Sequence, residues 1–403
     1  MGEIVRSYYR KVVADFWDQK TVVILLGILS GLYFGTVGVV WAVTGEFTRW
    51  GASFLKLIGV DLSPYTYLKI IKYKGTILTR IDGVMVLGMF AGALIAALFG
   101  QNFKLRIPTA KRVIQALVGG IIAGFGTRLA MGCNLAALFT GIPQFSLHTW
   151  FFTLGTIFGT YIGIKITLSP YFRGEPKLVK ASEFNAGNLK ANTQIQPFLG
   201  WLGLIVFAGI LLSRPEMPNI LKLATIFGFA FGFLIQKGQV CFTSAFRDLW
   251  LVGRTTTLKA LVWGMAVQML LTAVFIAKGT PAKVLWAGPN ALIGGLLFGI
   301  GIVIAGGCET GWMYRSMEGQ VHFWFVGLGN VIGATLLFLL WDKGLYKYLV
   351  EPFPKFSLIE HFGYLPALIL TGLFLLGLYL WADLRELSGR SMIKNKTMAV
   401  RRV

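Results

Sequence analysis

The chain has 403 residues, 55% hydrophobic and only 14% charged, with a mean hydropathy of +0.68 and a formal net charge of +21. A soluble domain carries about 25% charged residues, so a large soluble enzyme is excluded for want of polar surface. The basic residues are scattered through loops and tails, which argues against a nucleic-acid-binding face. The scatter fits topology signals and contact with anionic membrane lipid, and an anionic substrate fits as well.

In chain order, a short N-terminal segment (1–20) precedes ten candidate spans, at 21–43, 82–100, 113–132, 148–168, 198–212, 221–236, 259–277, 291–307, 322–341 and 364–382. Each approaches the ~20 apolar residues that cross a hydrocarbon core. The first run is too long for a signal-peptide core and lacks a small-residue cleavage site, so no cleavable leader is expected. The segments 198–212 and 221–236 are short for spanning. Such short or Gly-interrupted runs at matching places in two halves point to a transport site.

The middle of the chain is duplicated. Residues 116–133 read ALVGGIIAGFGTRLAMGC and residues 291–308 read ALIGGLLFGIGIVIAGGC, with nine of 18 positions identical. The likeness resumes where His148-Thr149-Trp150-Phe151 faces His322-Phe323-Trp324-Phe325. The division expected is a repeat A over 21–168, a linker with one span over 169–220, a repeat B over 221–341, a loop and last span over 342–382, and a basic tail over 383–403. Four spans plus one linking span is an odd number, so repeat B enters the membrane inverted relative to A. The fold class is therefore an all-α polytopic membrane protein with an inverted internal repeat.

Lysines and arginines place both termini on the cytoplasmic side: Lys104, Arg106, Lys111 and Arg112, then Arg173, Lys177, Lys180 and Lys190, then Lys237, Arg247 and Arg254, and finally Arg385, Arg390, Lys394, Lys396, Arg401 and Arg402. The segment Arg49–Arg80 disagrees, being basic on the other side. Either the topology differs there or a basic cap gathers anions.

The three cysteines, Cys133, Cys241 and Cys308, form no CxxC pair, which excludes a zinc ribbon or thioredoxin motif, and their odd number argues against a purely structural disulfide set. A free cysteine is commonly just a small buried hydrophobe. Here Cys133 and Cys308 recur at the same place in both copies, each after Gly at the end of a Gly-rich run. The segments that follow, Asn134–Gly141 and Glu309–Gly319, are too short to span and read as re-entrant or half-helical, which is tolerated at depth only beside protein or a water-filled cavity. A thiol there is a weak donor or, ionised, a nucleophile towards sulfur. Cys241 stands beside Gln239, Thr243 and Ser244, all able to hydrogen-bond. A looser alignment of the front halves puts Thr44 opposite Cys241, so the pseudo-symmetric site holds three thiols and one hydroxyl.

Arg128 and Glu309 are ionisable groups within or next to apolar runs, where they face a cavity or a partner. Arg128 either balances an anion or pairs with an acid; Val303 is its counterpart. Arg315 is a candidate partner for Glu309 or Glu318. Arg247 and Asp248 serve the path or form a structural pair. His148 and His322 read first as helix-start residues. The histidines lack metal-ligand spacing and there is no phosphate-binding loop, so neither a metal, a cofactor nor ATP-driven transport by this chain is expected. The substrate-path residues are thus Cys133, Cys241, Cys308, Thr44, Asn134, Glu309, Gln239 and Arg128.

Five strings carry a wider resemblance: WAVTGEFTRWG at 41–51, LTRIDG at 78–83, RLAMGCNLAALFTGIPQFSLHTWFF at 128–152, CFTSAFRD at 241–248 and AGGCETGWMYRSMEGQVHFWFVGLGN at 305–330. Over nearly the whole chain they resemble the YeeE/YedE family of bacterial inner-membrane proteins, and within it the YedE branch. The resemblance implies an hourglass-shaped, inverted-repeat helical fold, uptake of thiosulfate or a related compound, and cysteines that relay it by hydrogen bonding. For this branch it also implies a link to selenium metabolism, and more generally work beside a small TusA-like sulfur carrier. Thr44, where a fourth cysteine would stand, departs from the pattern of thiosulfate transporters. Two other readings stay open at this level: a membrane sulfurtransferase or thiol redox protein, which leaves a covalent adduct on a cysteine, and a structural partner of the carrier, indifferent to loss of any one thiol.

Overall fold

The computed structural model describes residues 7–173 and 195–400, residues 389–400 by backbone course alone. Lys177, Lys180, Lys190, Arg401 and Arg402, which entered the orientation argument, lie outside the described residues. So do the side chains of Arg390, Lys394 and Lys396. Among the described residues there is no strand, only three isolated bridges, and nine helices are long and apolar enough to cross a membrane. The chain is an all-α polytopic membrane protein.

The principal helices are α1 (Gln19–Val37), α2 (Thr44–Leu57), α3 (Ile81–Phe99), α4 (Ala110–Leu129), the wide single turn α5 (Asn134–Phe139), α6 (His148–Thr167), α7 (Ile195–Leu212), α8 (Asn219–Lys237), α9 (Phe242–Val252), α10 (Thr256–Ala277), α11 (Pro289–Ala305), α12 (Glu309–Met317), α13 (Val321–Leu340) and α14 (Tyr364–Val400). The first predicted span, 21–43, is corrected: α1 stops at Gly38, whose φ of +78° turns the chain out of the helix, as a residue without a β-carbon allows. Helix α6, predicted to span at 148–168, has the length but is not among the nine apolar ones. Thr149, Thr153, Thr156 and Thr160 recur along one face of it and are buried, so its polarity is turned inward. They are not exposed to lipid.

The two copies exchange neighbours. Helix α3 packs along α8, and α10 along α1; α6 packs along α11, and α13 along α4; α4 crosses α11 at the centre. Each of these pairs maps onto another, or onto itself, when the halves are swapped. The α4–α11 crossing is close because glycines line both sides. A β-carbon added at Gly119 would lie 2.8 Å from the Ala305 α-carbon, and one at Gly301 2.8 Å from the Ala123 α-carbon. Between apolar helices in lipid, such close approach and the dispersion it allows replace the hydrophobic effect as the source of association.

The segment after α2 folds back over one end of the bundle. It contains a short helix, Thr66–Ile70, whose Tyr67 is buried, lies edge-on to Trp341 at 4.7 Å between ring centroids, and donates its hydroxyl to the Arg128 carbonyl at 3.0 Å. The backbone N–H of Thr66 donates to Asp342 at 2.9 Å. The basic segment Arg49–Arg80 is thus packed against the mouth of the central crossing, with Arg49 and Arg80 tied to the buried Glu46 and Arg49 also to Asp82 at 2.7 Å.

Candidate functional site: a line of thiols at broken helices

Each cysteine caps the start of a short helix. Cys133 precedes α5, Cys241 precedes α9 and Cys308 precedes α12, all three with extended backbone. The preceding long helices end in corresponding ways. Helix α11 closes on Gly306 with φ +78°, and α4 is followed by Met131 with φ +56°, a left-handed conformation uncommon for a residue with a side chain. Gly38 after α1 and Gln239 shortly after α8 also have positive φ, +78° and +48°. Positive φ thus marks four helix breaks, and after the one at Gly38 the chain re-enters a helix where Thr44 opens α2.

All three thiols are buried and unpaired by disulfide. The Cys241 and Cys308 sulfurs are 3.9 Å apart, and the Cys308 sulfur lies 3.2 Å from the Thr310 hydroxyl. Gly311 leaves room for them: a β-carbon there would come within 2.8 Å of the Cys241 sulfur and 3.6 Å of the Cys308 sulfur. Cys133 stands in electrostatic range of both Glu309 and Arg128. Arg128 donates to the Thr44 hydroxyl at 3.2 Å. The chain of neighbours thus runs from Thr44 through Arg128, Cys133, Glu309 and Cys308 to Cys241.

Several polar atoms beside this line are buried with no hydrogen-bond partner among the described residues. They include both side-chain amide atoms of Asn134, one oxygen of Glu309, the Arg128 Nε and the Thr243 hydroxyl. Glu309 accepts from Asn330 with its other oxygen, at 2.8 Å. Buried polar groups are nearly always satisfied, so a cluster of unsatisfied ones next to three thiols is unusual.

Other predicted residues are engaged elsewhere. Gln239 donates to Glu318 at 2.6 Å, joined there by Gln236 at 3.1 Å and Gln320 at 3.0 Å, which ties α8 to α12. It therefore borders the line of thiols as part of a locked polar cluster. Arg315 serves neither Glu309 nor Glu318. Its guanidinium reaches back to the Gly306 carbonyl at 3.1 Å and the Tyr314 hydroxyl at 3.0 Å, covering an exposed carbonyl at the end of α11. Arg247 and Asp248 form a structural pair at 2.8 Å. His148 and His322 both start helices, the first against Ser146 at 2.6 Å and the second against the Ala305 carbonyl at 2.8 Å.

Sequence reasoning passed over Lys283. It lies in the loop between α10 and α11, where no motif marks it, and it lines a cavity of about 250 Å³ together with Thr44, Arg49, Lys72, Asp82 and Arg128. The residue keeps partial exposure, but its ammonium points into the cavity. Loss of hydration there, with Arg128 as a like-charged neighbour, lowers its pKa to about 8.

The pattern of a family described as "Sulphur transport" matches residues 4–162 and 237–402. The chain is 53% identical over 365 residues to a protein of Salmonella typhimurium named "Probable transporter YedE", covering 89% of this chain and 90% of that one. Its Escherichia coli counterpart of the same name is 52% identical over the same shares. A "Thiosulfate transporter TsuA" of Spirochaeta thermophila is 40% identical over 111 residues, 27% of this chain and 33% of its own.

Proposed function

The chain belongs to the sulphur transport family, and on that premise we propose that it carries a small sulfur-containing anion of the thiosulfate kind along the line from Thr44 to Cys241. The relatives that match over most of its length are named transporters, and the partial relative is named for thiosulfate. The reading is of a transporter, not an enzyme. The observation that carries the path is that three buried thiols cap three short helices on one connected line, with the partnerless atoms of Asn134, Glu309 and Thr243 beside them.

Thiols suit this task. A soft, diffuse anion accepts weak S–H hydrogen bonds, and weak successive sites let it both enter and leave. Cys133 takes the anion from the Thr44 end, Cys308 with Thr310 receives it, and Cys241 passes it on. Glu309, between Cys133 and Cys308, keeps one carboxyl oxygen without a partner beside the path. No covalent step is required.

The exchange of neighbours between the halves supports an inverted repeat, with the two breaks of each half entering from opposite faces to give an hourglass. We place the chain in a bacterial inner membrane with both termini cytoplasmic, following the lysine and arginine distribution. A small TusA-like carrier is the recipient expected on that side. Selenium analogues share the charge and softness of the sulfur anions, and we include them in the cargo class.

The test is uptake of labelled thiosulfate by proteoliposomes holding the purified chain, competed by selenium oxyanions, sulfate and chloride. Saturable uptake suppressed by thiosulfate and its soft analogues, and much less by chloride, supports the reading. No uptake above empty vesicles for any of these anions contradicts it.

A further inference from the structure

The cavity at the Thr44 end gathers several cations: Arg49, Lys72, Arg128 and Lys283 all line it, with Asp82 as its acid. Arg49 and Arg80 are neutralised by Glu46 and Asp82. Arg128 is 4% exposed, donates to the neutral Thr44 hydroxyl, leaves Nε without a partner among the described residues, and lies over the Tyr67 ring at 5.3 Å. Neither Arg128 nor Lys283 has a carboxylate within salt-bridge distance among the described residues. A buried cation without a counter-charge is costly, and a second cation facing the same cavity raises that cost. An anion seated between them removes it.

Resting on the transport reading above, we propose that Arg128 and Lys283 form an entry site that selects doubly charged oxyanions over singly charged ones before they reach Cys133. Three features fit a dianion. Arg128, Lys283 and Lys72, none of them in an ion pair among the described residues, line one space whose acid, Asp82, is taken up by Arg49; the Thr44 hydroxyl adds a neutral hydrogen-bonding group, and a cavity of about 250 Å³ is ample beside the roughly 30 Å³ share of a water molecule. Val303 stands where Arg128 would recur in the second copy, so this arginine belongs to the Thr44 end alone. A monoanion offsets less of this positive charge than a dianion does and leaves more of it uncompensated in the cavity.

Lys283 makes the site pH-sensitive. The charged groups around it are Arg128 on α4, Arg49 on α2, Lys72 in the folded-back segment and Asp82 on α3, with Cys133 in electrostatic range. With its pKa near 8, the lysine is a cation at neutral pH and loses its charge as pH rises through that value.

The experiment compares wild type with Lys283→Gln and Lys283→Arg in proteoliposomes, all three checked for equal melting temperature. The half-saturating thiosulfate concentration and its inhibition by sulfate and by chloride are measured. Wild type is expected to lose apparent affinity by about fivefold or more between roughly pH 7 and pH 9, as the ammonium deprotonates. Lys283→Arg should hold its affinity across that range. Lys283→Gln should start at the weaker value, with maximal rate unchanged and the preference for sulfate over chloride reduced. A Lys283→Gln variant that matches wild type in affinity, pH profile and anion preference overturns the proposal. Absence of transport by wild type is a failure of the transport reading, not of this site. Equilibrium binding of thiosulfate to the purified proteins, followed by tryptophan fluorescence, then decides. Weaker binding by Lys283→Gln supports the site, and equal binding or none overturns it.

Discussion

The two ends of the thiol line occupy corresponding places in a duplicated scaffold and have diverged in chemistry. At one end Thr44 opens α2 and faces Arg128, with Lys283 and Lys72 around the same cavity. At the other, Cys241 opens α9 and faces the Cys308 sulfur at 3.9 Å, with Val303 where the arginine would recur. The backbone breaks are shared and the side chains are not. On the proposed path, residue choice at each end sets how tightly an anion is held: the cation-lined end would gather and select it, and the thiol end would hold it weakly and let it go.

The largest effect is expected at the thiols. Cys308 contacts both Cys241 and Thr310, so Cys308→Ser should lower thiosulfate uptake by about a hundredfold, or roughly 2.7 kcal/mol of barrier, with membrane expression unchanged. Serine keeps a hydrogen-bond donor but is smaller and harder, so retained uptake would mean that polarity alone serves.

Next comes the buried acid that holds the charged end together. Glu46 is fully buried and accepts from Arg80, from Arg49 at 3.3 Å and from the Trp50 indole at 3.1 Å. Glu46→Ala should lower stability by about 3–5 kcal/mol, the usual cost of leaving buried cations without their acid, read as a fall in melting temperature in detergent. No such fall would show that the arginines re-pair.

The comparison sharpens if the ends are made alike. Thr44→Cys with Arg128→Val gives the first copy the chemistry of the second. The half-saturating concentration is expected to rise by about tenfold, near 1.4 kcal/mol, with a smaller change in maximal rate. An unchanged value would make the asymmetry incidental.

A bound anion should also stabilise the charged end, and the sign with pH follows from Lys283. Its pKa in the folded protein is lowered, to about 8 from 10.5. Between those values the unfolded chain binds more protons, so this group makes stability rise with pH. Below about pH 8 its full penalty is present. Stabilisation by sulfate or thiosulfate should therefore be greatest at neutral pH and fade above about pH 8, as melting curves at several pH values will show. The smallest effect belongs to Arg247→Ala. Its pair with Asp248 is partly exposed, and the loss should stay below about 1 kcal/mol.

Much of this was legible in the sequence because duplication writes the same apolar period and the same Gly-Cys stop twice. Nine identical residues in 18 located the central crossing and two of the three thiols. The front halves were harder to align, because the connection from α1 to α2 is longer than that from α8 to α9. The end of α1 was placed too late, since Val39, Val40, Trp41, Ala42 and Val43 are apolar and only the left-handed Gly38 breaks the run. Arg315 looked like a partner for a nearby acid, whereas the Gly306 carbonyl left open at the end of α11 had the stronger need. Lys283 carried no local signal: its proposed role comes from a cavity assembled by five separate stretches of chain.

The central claim is that an anion passes along buried thiols, and its most direct test is initial uptake of labelled thiosulfate by equal amounts of wild type, Cys133→Ser, Cys241→Ser and Cys308→Ser in proteoliposomes. The account predicts saturable uptake by wild type that is largely lost in each serine variant, with no covalent sulfur adduct on any cysteine during turnover. Uptake indifferent to all three substitutions would contradict it.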